Sequence, residues 1–386
     1  MTEANQPPGI RDMIARLVSL PSVSSASPDW DLSNEAVVQT LAEWLRPLGF
    51  ETDIMPVPGM AGKYNLIATL GRGPGGLVLS GHTDTVPYDE RNWHSDPFTL
   101  SERDDRWYGL GTCDMKAFFA LAIEAVRGLD ARKLKQPLII LATADEESSM
   151  NGARALAEAG RPKARYAVIG EPTSLRPIRM HKGIMMERLV FEGQSGHSSN
   201  PALGRNALEG MHAAISELLA LRADWQARYR NPAFEVQVPT LNLGCIHGGD
   251  NPNRICRRCE LHFDLRPLPG MDMDELRSNI LQQLQPLARE RNLEMAFSPL
   301  FDGVPPFETP ANAELVRTCE ALTGHRAEAV AFATEAPWLQ KLGMETIVLG
   351  PGSIDQAHQP DEYLALSQVE PAVTLLRGLI QRFCVE

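Results

Sequence analysis

Leu138-Ile-Ile-Leu-Ala-Thr-Ala-Asp-Glu-Glu-Ser148 passes from five consecutive apolar residues, 138–142, to three consecutive acids within a few positions. The apolar part has the length and aliphatic make-up of a buried strand. Acids in a row ordinarily lie on a solvated surface. These follow a buried strand and precede a helical pattern at residues 152–159, so their charge needs a reason. Adjacent carboxylates with different roles suit metal-assisted hydrolysis, with Glu147 holding a cation and Glu146 taking a proton from water.

Outward from this stretch the same rhythm recurs. Residues 65–70, 77–80 and 167–169 are strand-like and set off by glycine or proline, and residues 116–129 are helical in pattern. Strands alternating with helices predict an α/β domain with a mixed or parallel central sheet, whose ligand groups gather at the carboxyl ends of the strands. Residues 10–50 read as two helices, the second with Leu32, Val37, Val38, Leu41, Trp44 and Leu45 on one side. From about residue 182 the order becomes strand 184–191, helix 205–221, strands 240–246 and 255–265, helix 273–289 and strand 293–298. This β-α-β-β-α-β order is ferredoxin-like. Helix and strand patterns then return at 311–322, 336–342 and 347–349, and a helix at 367–383 ends the chain. The pattern predicts a discontinuous large domain, residues 1–180 and 293–386, with a smaller domain inserted at 181–292.

Bulk properties narrow the function. A chain of 386 residues is too long for one ordinary core, and 43% hydrophobic with 22% charged residues is the balance of a soluble globular protein. No apolar run approaches the ~20 residues of a membrane span. The N-terminus lacks a basic region followed by an apolar one, so no secretory leader is expected and the cytoplasm is the predicted location. There the six cysteines stay thiols. Cys256-Arg-Arg-Cys259 has redox or zinc spacing, but it lacks a second CxxC and lies in a strand-like run, which favours plain buried or edge thiols. A net charge of −12 argues against nucleic acid. It is compatible with a cationic substrate, and equally with acidity kept for solubility.

Four more pieces share the character of the acid pair. Ser80-Gly-His-Thr-Asp-Thr-Val-Pro87 follows an apolar run, and its i, i+2 spacing lets His82 and Asp84 face one pocket if extended. Alone, an HxD is as readily a turn with a capping Asp. Tyr108-Gly-Leu-Gly-Thr-Cys-Asp-Met-Lys116 delivers Asp114 to the mouth of a helix, where an N-cap is an equally good account. Its glycines match neither dinucleotide nor P-loop patterns. Glu171 follows residues 167–169, and His358 follows the strand at 347–349. A mixed set of imidazoles and carboxylates after separate strands suits zinc, and also cobalt or manganese.

In order and spacing, SGHTDTVP, GLGTCDMK, ADEES, IGEPT, GHSSNP and QAHQPDEY resemble a metallopeptidase family. That family comprises aminoacylases, succinyl-diaminopimelate desuccinylases and acetylornithine deacetylases, and the likeness covers nearly the whole chain. Gly248-Gly-Asp-Asn-Pro-Asn-Arg-Ile-Cys256, Arg266-Pro-Leu-Pro-Gly270, Ala333-Thr-Glu-Ala-Pro337 and Gly350-Pro-Gly-Ser353 are most similar to the acetylornithine branch. The resemblance implies a zinc-peptidase-like catalytic domain with a mixed central sheet and an inserted ferredoxin-like α+β domain that forms a homodimer. It implies two divalent metal ions, zinc with cobalt or manganese as alternatives, bridged by Asp114. His82 and Glu171 would complete one site, and Glu147 and His358 the other.

Asp84 would support His82, and Glu146 would be the general base toward a bridging metal-bound water. His197 would stabilise the oxyanion, reaching in from the partner subunit, and Asn253 and Arg254 would meet the substrate, the arginine at its carboxylate. Glu335 would favour a cationic side chain, and the Asp114–Met115 peptide bond would be cis. The implied reaction is hydrolysis of N-acetyl-L-ornithine to L-ornithine and acetate, a step of arginine biosynthesis. N-acetylcitrulline, a broader range of N-acyl amino acids and succinyl-diaminopimelate are alternatives within the same chemistry. Blander accounts stay open: a polar turn for His197, a surface charge for Arg254, a helix-start acid for Glu335. Ser195 and Ser198 lack the GxSxG setting of a serine nucleophile. A non-catalytic metal-dependent binding protein would not need Glu146.

Overall fold

The computed structural model describes residues 6–386. The expectation of no secretory leader rests partly on residues 1–5, which lie outside the described residues. The chain divides into two units. One holds the chain up to Arg179 with Thr309–Glu328 and Thr334–Glu386, and the other holds Met180–Glu308 and Ala329–Ala333.

In chain order the first unit begins with α1 (Ile10–Val18), α2 (Glu35–Leu45), β1 (Glu51–Pro56), β2 (Tyr64–Leu70) and β3 (Leu77–His82). It continues with β4 (Ser101–Arg103), β5 (Arg106–Tyr108), α3 (Ala117–Val126), β6 (Leu138–Thr143), α4 (Asn151–Ala159) and β7 (Tyr166–Pro172). In β8 (Ile178–His181) the chain passes to the second unit, which contains β9 (Met185–Glu192), α5 (Ala207–Arg228), β10 (Thr240–Gly248), β11 (Arg258–Arg266), α6 (Met273–Glu290), β12 (Glu294–Pro299) and β13 (Phe307–Glu308). Then follow α7 (Glu314–Thr323), β14 (Glu328–Val330), α8 (Ala336–Lys341), β15 (Glu345–Gly350), β16 (Tyr363–Ala365) and α9 (Val369–Ile380).

The central sheet of the first unit runs β1-β2-β6-β3-β7-β15. β6, β3, β7 and β15 run parallel to one another, whereas β1 and β2 join antiparallel. Every residue of β3, β6 and β7 is buried, as parallel strands covered on both faces must be. Helices supply the cover: Leu17, Leu41, Phe119 and Leu376, from α1, α2, α3 and α9, join Leu79 and Ile140 in one core. Each such side chain stabilises the fold by roughly 1.5–3 kcal/mol relative to exposure. Because the four central strands run the same way, their carboxyl ends lie along one edge, and the residues that follow them converge there.

Two local features differ from the sequence pattern. Leu32 lies before α2 and is exposed, because the helix begins only at Glu35. β1 did not stand out in the sequence: its residues are exposed or half-buried, so it lacks a continuous apolar signature.

The second unit has the strand order β10-β11-β9-β12, antiparallel throughout, which is the ferredoxin-like sheet. Met211 and Trp225 of α5 and Ile280 and Leu284 of α6 pack with Leu189, Phe191, Leu261 and Phe263. Asn206 and Asp272 cap the two helices, each accepting two backbone N–H bonds. The expected end of the insert at residue 292 falls too early. β12 pairs with β9 from Glu294↔Glu192 to Pro299↔Glu187, and Met295 and Phe297 pack on this unit's core, so the unit continues to Glu308. Cys256 and Cys259 are buried free thiols. Among the described residues no helix is long and apolar enough to cross a membrane.

Candidate metal centre

The parallel edge assembles the first unit's site. His82 is the last residue of β3, Glu146 and Glu147 follow β6 after two intervening residues, Glu171 is the penultimate residue of β7, and His358 lies in the loop after β15. Asp114 comes from the turn before α3, and its peptide bond to Met115 is cis.

Asp114 lies between the two imidazoles. Its Oδ1 is 3.0 Å from His82 Nε2, and its Oδ2 is 3.5 Å from His358 Nε2. On the first side, Glu171 Oε1 lies 3.9 Å from His82 Nε2; on the second, Glu147 Oε2 lies 3.0 Å from His358 Nε2. Ligand atoms of His82, Asp114 and Glu147 all fall within 4.8 Å of one another. The five residues proposed as metal ligands are thus brought together, in two groups that share one aspartate.

The donor set fits cations. His82 Nδ1 donates to the Asp84 carbonyl at 3.0 Å, so Nε2 is the ring atom turned toward the carboxylate oxygens, and either a proton or a cation must lie between them. Lone pairs facing lone pairs are tolerable only with a positive charge between them. Glu147 Oε1 and Glu171 Oε1 are buried with no hydrogen-bond partner. Burial, and then the charge of Glu171, hold Glu146 well above the ordinary carboxylate range. Burial, with Asp114 and Glu147 opposing the pull of His82, does the same for Glu171. Burial opposes the charged form of His82, but the Asp114 hydrogen bond and the surrounding acids raise it well above its usual value. The Glu147 hydrogen bond pushes His358 up to about 9. A crowd of buried acids that gain protons for want of a counter-charge is what divalent cations would relieve.

Asp84 sits beside His82 but does something else with its side chain. Its Oδ1 is 3.7 Å from the ring, beyond a hydrogen bond, and the backbone carbonyl takes the Nδ1 proton instead. The carboxylate accepts from the amides of Glu146 at 3.3 Å and Glu147 at 3.1 Å. Asp84 therefore positions the acid pair directly and His82 through its main chain.

Glu335 precedes α8 but does not cap it; Thr334 Oγ1 accepts from the Ala336 amide at 3.2 Å. Glu335 is buried, accepts from the Thr143 hydroxyl at 2.8 Å through Oε2, and leaves Oε1 unpaired. Burial pushes it up to about 7. Its charge acts on Glu146 and Glu171, so it belongs to the acidic cluster.

Glu362 was overlooked in the sequence. It is buried, and its carboxylate accepts from the amides of Gly111 at 3.1 Å, Cys113 at 2.7 Å and Asp114 at 2.9 Å. Burial pushes it up to about 8. It clamps the turn that carries Asp114 from a point 248 residues further along the chain. Its only sequence signal was position, four residues past His358 in an acidic dipeptide that also reads as surface. Lys116 was missed too: buried, it donates to the Leu20 carbonyl at 3.0 Å, and desolvation lowers it to about 8.

The remaining three expected site residues belong to the second unit, where they lie together. His197 and Arg254 form a bridge, and the Ser198 amide donates to the Asn253 carbonyl at 3.0 Å. All three are exposed. His197 Nδ1 accepts from the Ser199 amide at 3.2 Å and contacts its hydroxyl at 2.8 Å, so the neutral ring carries its proton on Nε2, free to donate. Arg254 Nη1 donates to Asp250 Oδ2 at 2.7 Å.

The family model described as Peptidase family M20/M25/M40 matches residues 78–382. An acetylornithine deacetylase of Edwardsiella ictaluri is 52% identical over 379 residues, 98% of this chain and 99% of that one. Another from Photorhabdus laumondii is 49% identical over 379 residues, 98% of each. Among solved structures, a dinuclear metal-binding peptidase of the M20 family from Bacillus subtilis superposes with a TM-score of 0.67. It is 16% identical, covering 96% of this chain and 96% of that one, a likeness of fold.

Proposed function

The chain belongs to peptidase family M20/M25/M40, a hydrolase acting on amide bonds, and we propose that it removes the acetyl group of N-acetyl-L-ornithine to give L-ornithine and acetate. One observation carries the chemistry: a single aspartate, Asp114, presents one oxygen to each of two imidazoles, each with its own glutamate. The substrate follows from relatives of about half identity along the full chain that bear the name acetylornithine deacetylase.

His82, Asp114 and Glu171 would hold one divalent cation, and Asp114, Glu147 and His358 a second; zinc suits this donor set best. When bound, such cations polarise the amide carbonyl and lower the pKa of water toward neutrality. Glu146 takes the water's proton and passes it to the departing α-nitrogen, while the water's oxygen becomes part of acetate. The Nε2–H of His197 donates to the carbonyl oxygen as it gains charge. The Arg254 fork leaves Asp250 and takes the substrate carboxylate, with Asn253 beside it. No covalent enzyme intermediate is required. The reaction belongs in the cytoplasm as a step toward arginine, carried out by a homodimer joined through the second unit.

Purified enzyme loaded with zinc or cobalt should hydrolyse N-acetyl-L-ornithine with kcat/KM at least about tenfold above N-acetyl-L-citrulline, N-acetyl-L-methionine and N-succinyl-diaminopimelate, the discrimination expected of a charged side-chain contact. Equal values across the panel would make it a broad N-acyl-amino-acid deacylase. No turnover of any member by metal-loaded protein would leave a binding protein.

A further inference from the structure

A second group of metal-ligating side chains lies wholly within the second unit, on the face of its sheet turned away from α5 and α6. On β11 the residues Cys259, Leu261, Phe263 and Leu265 are buried against the helices, so Glu260 and His262 point the other way. On β10 simple alternation from Leu241 and Leu243 would send Cys245 inward. It does not go there, because the register slips: Leu243 faces Phe263, and Cys245, two residues on, faces His262, only one residue away on β11. The extra residue is Gly244, and a bulge of this kind re-aims the side chain that follows it. Cys245 and His262 become direct cross-strand partners, as do His247 and Glu260, so four polar residues occupy adjacent positions on one face.

Their side chains interact. Cys245 Sγ is 3.0 Å from His247 Nε2 and 4.0 Å from His262 Nδ1. His262 Nε2 lies 2.8 Å from Glu260 Oε1, and Glu260 is held by Arg188, whose Nε donates at 2.6 Å. Arg188, then His262, hold the Glu260 carboxyl well below the usual carboxylate range, so it accepts the Nε2 proton. With Nε2 turned to Glu260, Nδ1 is the ring atom of His262 that faces the sulfur. A carboxylate behind an imidazole, with a thiol before it, is the arrangement that orients a metal ligand and raises its basicity.

We propose that Cys245, His247 and His262 form a binding site for a soft divalent cation of the zinc class, distinct from the centre on the first unit. A tetrahedral ion with Zn–S of about 2.3 Å and Zn–N of about 2.0–2.1 Å separates sulfur from nitrogen by roughly 3.5 Å. The two observed separations fall on either side of that. Sγ is the common neighbour of both rings, which sit diagonally across the strand pair. Drawing both nitrogens onto one ion takes a turn of His247, which is exposed and has the room. Binding releases the thiol proton to solvent and leaves a fourth position for water. Hard oxygen-seeking cations would be refused, since the set offers one sulfur and two imidazoles.

Cobalt distinguishes this site from the other, whose donors are all nitrogen and oxygen. Full-length enzyme titrated with Co2+ should develop a near-ultraviolet thiolate-to-cobalt charge-transfer band that levels off by three bound equivalents per chain, two of them taken by the first unit. Cys245→Ser should abolish the band and keep amide hydrolysis, and Glu260→Gln should weaken the site by about 10–100-fold. In wild-type protein, Zn2+ at three or more equivalents per chain, enough to fill the first unit's two positions as well, should protect Cys245 from iodoacetamide, read by peptide mass, which needs no variant to fold. The proposal fails if no band forms when cobalt has restored full hydrolytic activity and a further equivalent has been added, if the band survives Cys245→Ser, or if zinc leaves the rate of Cys245 alkylation unchanged.

Discussion

The acidic edge of the first unit and the His197–Arg254 segment of the second both belong to the proposed reaction, and they are built in opposite ways. Most of the proposed ligands at the edge are buried or anchored at main-chain level: Glu362 grips three amides of the Asp114 turn, Asp84 grips the amides of Glu146 and Glu147, and a carbonyl orients His82, while His358 is the exposed member of the set. The other segment is exposed, and its arginine is occupied by a neighbouring aspartate across an open ion pair. Charges brought close together need a rigid frame, because small displacements change their interaction greatly at low dielectric. A group that acts only as charge develops on the substrate needs a free donor and freedom to exchange partners. Exposed pairs such as Arg254–Asp250 contribute little stability, so such an exchange is easy.

If the difference is real, the largest effect should come from the edge. Glu146→Gln leaves every proposed ligand in place and should lower kcat by ~10² or more while metal content, measured by atomic absorption, stays at the wild-type level. Near-normal turnover with full metal would remove Glu146 as the base. On the exposed side, His197→Ala should reduce kcat by about 10² with little change in KM or metal content, as for a lost oxyanion donor. Mixing His197→Ala with Glu146→Gln subunits should restore activity if the histidine serves a neighbouring chain. Exchange of subunits without recovery would confine it to its own chain.

Glu362→Gln sharpens the contrast further. It should weaken metal affinity by about 10-fold, read by chelator competition, because it loosens the turn beneath Asp114 without touching a ligand. Unchanged affinity would reduce the clamp to a folding contact. The smallest effect is expected at Glu335, whose carboxylate lies inside the cluster with one oxygen unpaired. Glu335→Gln should lower kcat/KM for N-acetyl-L-ornithine by a few-fold more than for N-acetyl-L-citrulline. Equal losses would mean that it acts on the acids and not on the substrate.

Much of this organisation was legible along the chain. Residues 138–148 announce a buried strand ending in acids, and β11 follows its apolar alternation closely, because burial on one face leaves a period in the sequence. His82, Asp114, Glu147, Glu171 and His358 were legible because each follows a strand or a tight turn in a recognisable motif. Other features left no such trace. β1 is half-exposed, Leu32 lies outside the helix whose apolar side it seemed to join, and β12 reaches past the expected boundary since pairing with β9 decides its membership.

The sequence by itself determined which residues would line the carboxyl edge and what kind of ion they suit, since local pattern sets strand ends and residue type sets ligand chemistry. Only the tertiary structure decided who holds whom: that Asp84 serves two amides and not the ring, that Glu362 returns across 248 residues to secure Asp114, and that a bulge at Gly244 turns Cys245 toward His262. Hydrogen bonds and register between distant segments depend on how the chain packs in three dimensions, and periodicity within one segment carries no record of them.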